Sequence, residues 1–149
     1  MQFSSRLPIA AHILMCIVRF GEDCKITSDF LAGSVNVNPV IIRKTLGQLK
    51  KAGLVRVEAG VGGASLDKPP EEITLLDIFR AVEAKEEPLF HFHENPNPAC
   101  PVGREVHGIL SGYLDAAALA MENQLRAVTI QQLMEDLRQK ETTEKSSSS

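Results

Sequence analysis

The side chains with the clearest chemical purpose in this chain are cations. Arg43, Lys44, Lys50 and Lys51 lie along one amphipathic segment, residues 39–52, and Arg56 follows it closely. A guanidinium early in a helix can make a two-pronged contact with guanine, so Arg43 and Lys44 are the expected base readers, with Asn38 and Thr45 as secondary contacts. Lys50, Lys51 and Arg56 come late in the helix or on the strand after it, where phosphate is the expected partner. Gly62 and Gly63 belong to the glycine-rich turn Gly60-Val61-Gly62-Gly63 and complete the expected DNA-binding set.

Other reactive residues are sparse. Cys16, Cys24 and Cys100 are too few and too irregularly spaced for a secreted disulfide framework, so reduced thiols are expected. Cys100 directly precedes Pro101 at the start of a long helical pattern, where the positive end of a helix dipole favours a thiolate. Oxidation of Cys100, to an intersubunit disulfide with Cys24 or Cys16, is therefore a candidate redox switch that would rotate the reading heads. His91, His93, Cys100 and His107 are donor types that zinc accepts, but their spacing is not diagnostic, and no metal or cofactor is assigned. No Ser-His-Asp spacing, phosphate loop or evident carboxylate pair is present, so an enzyme is not expected. The glycine run lacks the following helix and lysine of a nucleotide loop.

Local signals define the elements that must hold the cations. Asn38 is a good helix N-cap, Pro39 suits the first helical position, and Gly53 suits the left-handed position past the C-terminus. Val40, Ile41, Leu46, Leu49 and Ala52 are the expected apolar face, with Ile42 spilling over. A shorter helical pattern, 26–35, precedes it with Thr27 or Ser28 as cap, and the short link Asn36-Val37-Asn38 makes the pair a helix-turn-helix. The run 54–58, the glycine turn and Ala64-Ser65-Leu66 read as a two-stranded wing. An N-terminal apolar run, 7–20, is broken by His12 and Arg19 and is too short to span a bilayer, so it is expected as a core helix.

Beyond Pro69-Pro70, Thr74 caps a predicted helix from 75 to about 84. The stretch 85–99 is proline-interrupted and is expected to be a loop. Pro101 opens the longest periodic segment, about 102–127, with Val106, Ile109, Tyr113, Ala117 and Ala120 as the expected dimerisation residues. A last helix is expected over 129 to about 138. The fold class is thus mainly α with a small β-wing, divided into a winged helix-turn-helix domain (1–84), a sensor-like loop (85–101), dimerisation helices (102–140) and a disordered tail (141–149). Net charge is −3, but residues up to Lys68 hold nine Lys/Arg against five Asp/Glu, +4, and the rest hold seven against fourteen, −7. The basic half contains the helix-turn-helix, and the acidic half should lie away from DNA. A soluble, cytoplasmic protein without membrane contact is expected.

Taken together, the helix around 9–18, Asn38-Pro39, Leu49-Lys50-Lys51-Ala52-Gly53-Leu54-Val55, the glycine run, Glu72-Ile73-Thr74-Leu75-Leu76-Asp77-Ile78, Ala81-Val82-Glu83 and the long helix resemble the Rrf2 family of bacterial winged-helix transcriptional regulators. The resemblance implies a homodimer whose long helices cross, with recognition helices in successive major grooves of double-stranded DNA, wings toward the minor groove, and repression as the commoner mode. Members that hold an iron-sulfur cluster carry three closely spaced cysteines before the long helix, whereas this chain has only Cys100 there, which places it with the cluster-free branch. Cluster-binding relatives also tend to carry a basic residue immediately before the wing glycines, where this chain has Ala59. The alternatives are a winged-helix protein-interaction module governed by a partner protein, or a metal-responsive regulator.

Overall fold

The protein is described by a computed structural model covering residues 4–58, 63–83 and 89–148. Six α-helices and one two-stranded sheet follow in chain order: α1 (Arg6–Phe20), α2 (Ser28–Val35), α3 (Pro39–Lys51), β1 (Val55–Glu58), β2 (Gly63–Leu66), α4 (Leu75–Val82), α5 (Pro101–Arg126) and α6 (Ile130–Ser147), with a 3-10 turn at Pro70–Glu72. This is the mainly helical, winged architecture expected from the sequence.

Capping chemistry sets the helix-turn-helix. The Thr27 hydroxyl accepts the Phe30 N–H at 3.1 Å, and Asn36 ends α2 in the left-handed region (φ 61°), donating its N–H to the Ala32 carbonyl at 2.8 Å. Two residues later the Asn38 side-chain oxygen accepts the Val40 N–H at 2.9 Å and Pro39 opens α3. Gly53 then adopts φ 78° and donates to the Lys50 carbonyl at 3.0 Å, turning the chain into β1. The wing strands are antiparallel, in register from Val55 opposite Leu66 to Glu58 opposite Gly63. Gly63 has φ 79°, and a Cβ there would lie 3.1 Å from both N and O of Ile26. The adjacent Ala64 N–H donates to that same Ile26 carbonyl at 2.8 Å, so the wing is sewn to the chain just before α2.

The core is built around α1, which touches α2, α3, α4, α6 and β2. Ile13 and Leu14 are fully buried there among Leu31 of α2, Ile42, Leu46 and Leu49 of α3, Ile78 and Val82 of α4, and Ile130 and Met134 of α6. Periodicity alone puts Val40 and Ile41 on the buried face of α3 with Ile42 as spill. Instead Ile42 is fully buried, Val40 and Ile41 are 60% and 43% exposed, and Ala52 is exposed. Three successive aliphatics cannot all face one way when each residue turns the helix by about 100°.

Two further expectations change. Residues 102–140 had been grouped as dimerisation helices, yet α6 packs on α1 and contributes Ile130 and Met134 to the first-half core. A short backbone clasp directs it there: Thr74 and Thr129 form an antiparallel bridge, the Leu75 N–H donates to Val128 O at 2.9 Å, and the Ile130 N–H donates to Ile73 O at 2.9 Å. Both threonines are also helix caps, Thr74 accepting from Asp77 N and Thr129 from Gln132 N. The stretch from 141 onward, expected as a disordered tail, continues α6 to Ser147. No proline or glycine interrupts it, Glu141 pairs with Arg19 of α1 at 3.2 Å, and the Thr142 and Thr143 hydroxyls donate to carbonyls four residues back. No helix among the described residues is long and apolar enough to cross a membrane.

Ile130→Ala is expected to cost about 2–5 kcal/mol in urea unfolding followed by circular dichroism, in the same transition as the first-half helices. A loss of under about 0.5 kcal/mol, or a separate transition, would contradict the placement of α6. Gly63→Ala should cost about 1–2 kcal/mol, because the left-handed backbone and the Ile26 contact both reject a Cβ. Thermal melting of the variant measures it.

Candidate nucleic-acid interface

Burial of Ile42, Leu46 and Leu49 leaves the opposite side of α3 to solvent. Val40, Lys44, Gly47 and Lys51, spaced by four, three and four residues, form its outermost stripe, and Arg43 and Lys50 border it. All four cations are exposed, and none joins a salt bridge among the described residues. No Asp or Glu occurs between Asp29 and Glu58. An unneutralised positive field on a protruding helix attracts polyanions and steers their approach.

The structure separates the remaining predicted contacts. Thr45 is 6% exposed and its hydroxyl donates to the Ile41 carbonyl at 2.8 Å, which removes it from the contact set: it lies on the inward face with Leu46 and Leu49. The side-chain oxygen of Asn38 is committed to capping α3. Arg56 is exposed on β1 but paired with Asp67 at 2.7 Å, a surface pair whose carboxylate offsets the charge available to phosphate. Gly63 serves the wing's backbone path rather than the solvent face. Gly62, with the rest of 59–62, lies outside the described residues. Sequence reasoning missed the exposure of Val40 and Ile41. The signal that could have found it is the unbroken Val40-Ile41-Ile42 run, only part of which one helical face can bury.

The long helix α5 contains no buried residue. One side, including His107, Leu114, Ala118, Met121 and Leu125, is partly covered. Arg80 of α4 reaches Glu122 at 3.7 Å. The other side leaves Val102, Ile109 and Tyr113 at 71%, 61% and 75% exposure, with Ala117 and Ala120 exposed and Val106 half-buried along the same stripe. At the head of α5 the loop folds over the helix. The His107 ring lies 4.7 Å from Phe92 and 5.1 Å from His93 between centroids, and its buried Nε2 has no hydrogen-bond partner among the described residues.

The three thiols are separate in character. Cys100 is exposed at the N-cap of α5, and its side chain makes no capping bond. Cys24 is exposed just beyond α1. Cys16 is buried, with Sγ 3.2 Å from the Ser34 hydroxyl, which is itself 2.9 Å from Nε2 of His12, so this group ties α1 to α2. His91, His93, Cys100 and His107 do not gather into a metal cage: among the described residues no group of three or more His, Cys, Asp or Glu is arranged to hold an ion.

Comparison with known proteins agrees with this geometry. The chain is 45% identical over 134 residues to YwnA of Bacillus subtilis (strain 168), named as a candidate HTH-type transcriptional regulator, covering 90% of this chain and 98% of that one. A crystal structure of a candidate DNA binding protein superimposes with a TM-score of 0.70 at 38% identity, covering 87% of this chain and 99% of that one. A candidate transcriptional regulator from Lactobacillus plantarum shares the fold, with a TM-score of 0.75 at 23% identity over 90% of each chain. Residues 3–136 match the Rrf2 family, described as an iron-dependent transcriptional regulator.

Iron or an iron-sulfur cluster needs several thiolate or imidazole ligands converging on one point. Here Cys100 stands alone in its loop, Cys16 is enclosed between α1 and α2, and Cys24 sits at the far end of α1, so the donor set does not fit such a group. Its helix-turn-helix, its wing and a match spanning nearly its whole length make this chain a member of the Rrf2 family of transcriptional regulators, and not an enzyme.

Proposed function

We propose that the chain acts as a homodimeric, sequence-specific DNA-binding regulator that inserts α3 into the major groove. The observation that carries this reading is the outward face of α3: exposed Arg43, Lys44, Lys50 and Lys51, without a neighbouring acid, backed by a fully buried Ile42 and Leu49. A helix held rigidly from behind and cationic in front suits a groove flanked by phosphates. Arg43 and Lys44 take base edges, while Lys50 and Lys51 take phosphate.

Dimerisation is part of the same reading. A 26-residue helix spans about 39 Å, and its unpaired stripe of Val102, Val106, Ile109, Tyr113, Ala117 and Ala120 is apolar enough to pack against its own copy. Two-fold pairing would present two recognition helices to successive half-sites. Thiol response at Cys100 is the finer element: its Sγ is exposed at the junction of loop and dimer helix, so joining two thiols there, with an added oxidant taking the electrons, would reorient α5. Of the two other cysteines, Cys24 of a second subunit is the better suited partner, because Cys16 is enclosed and hydrogen-bonded to Ser34.

Arg43→Ala should relax sequence preference and cost about 1–3 kcal/mol on the best site in a mobility-shift titration, while Lys51→Ala weakens all duplexes alike and flattens the salt slope by about 1. Equal effects on specificity would refute this division of labour. Ile109→Asp with Tyr113→Asp should convert the dimer to monomer in sedimentation, at unchanged helicity, and persistence of the dimer would move the interface elsewhere. Cys100→Ser should abolish any change in DNA affinity caused by diamide. An identical diamide response in the variant removes Cys100 from sensing.

A further inference from the structure

We propose that the first turn of α3 is a thymine reader, in which Val40, flanked by Ile41, packs against the C5-methyl groups of T·A pairs. This deepens the DNA-binding reading and rests on it. Val40 is 60% exposed and Ile41 43% exposed in the first turn of α3. Few polar groups serve that turn: the Asn38 oxygen accepts the Val40 N–H, leaving its amide NH2 as a donor, and Pro39 has no N–H to offer. The leading edge of the helix is therefore predominantly apolar.

Charge selects the occupant. Arg43 and Lys44 follow the apolar tip within one turn and Lys50 and Lys51 close the same helix, which has no acidic residue, and this favours a polyanion over an apolar protein surface or a second copy of this half. A recognition helix brings its N-terminal residues to the base edges, and the thymine methyl is the hydrocarbon group that the major groove presents there. Val40 also shares its stripe with Gly47, whose missing Cβ would point into open space. Among the described residues nothing requires a glycine at that position, and its bare surface lets α3 lie closer to the duplex, bringing the Val40 methyls within reach of the groove floor.

The test begins with the preferred duplex selected from a random pool by the full-length chain. Each thymidine is then replaced singly by deoxyuridine, which deletes the methyl and preserves base pairing. At a thymidine within each half-site, the replacement should weaken binding about fourfold, the equivalent of one methyl buried. Val40→Ala should weaken binding to the parent duplex and become indifferent to deoxyuridine at that position, with an unchanged circular dichroism spectrum. Retention of full deoxyuridine sensitivity by Val40→Ala, or indifference of the unsubstituted chain at every thymidine, would overturn the inference while leaving salt-sensitive DNA binding in place. Failure to bind any duplex at low ionic strength would overturn both the inference and the DNA-binding reading, and would point to a protein partner for the same face.

Discussion

Everything that α3 presents outward depends on what it buries inward. Ile42 and Leu49 are fully buried and Leu46 nearly so, against a core centred on Ile13 and Leu14 of α1. Each such side chain contributes about 1.5–3 kcal/mol, enough that the helix cannot roll about its axis without a large loss. Arg43, Lys44, Lys50 and Lys51 then point to solvent because the remainder of the helix has no other direction left. The hydroxyl of Thr45 illustrates the constraint: it sits on the anchored side and turns back to the Ile41 carbonyl, because a buried polar group must find an acceptor.

The same logic of a fixed core and a free face recurs in the second half. Backbone bonds between Ile73-Thr74-Leu75 and Val128-Thr129-Ile130 join the start of α4 to the start of α6, and each threonine caps a helix at the same place. The clasp delivers Ile130 into the common core and ties the C-terminal end of α5 to the start of α4. A movement of α5 about its own length would therefore be felt at the clasp and at the Arg80 to Glu122 contact with α4 before it reached α3. One direct path from α5 to the recognition helix runs through α4, since α3 touches α4 and α4 touches α5.

Much of the candidate interface was legible because its signals are local. Asn38, Pro39 and Gly53 mark the ends of α3 through backbone chemistry confined to a few residues, and the cations between them can be read directly. The wing was legible for a similar reason, as the alternation Val55-Arg56-Val57 leads into a run of glycines in the sequence. The phase of α3 was less accessible. Val40-Ile41-Ile42 offers three aliphatics to one helical turn, and only the positions of α1 and α4 decide that Ile42 goes inside.

Composition, caps and periodicity thus determined which segments are helices, where the helix-turn-helix lies and which residues carry positive charge, since each is governed by neighbours within about four positions along the chain. Tertiary structure alone decided that Thr45 is internal, that Val40 and Ile41 are external, that Arg56 is balanced by Asp67, and that α6 belongs to the first-half core and extends through residues of purely polar composition. Those outcomes depend on contacts between segments far apart in sequence, such as Ile73 with Ile130 or Arg19 with Glu141. Such contacts form only after the helices have packed, so no local pattern encodes them.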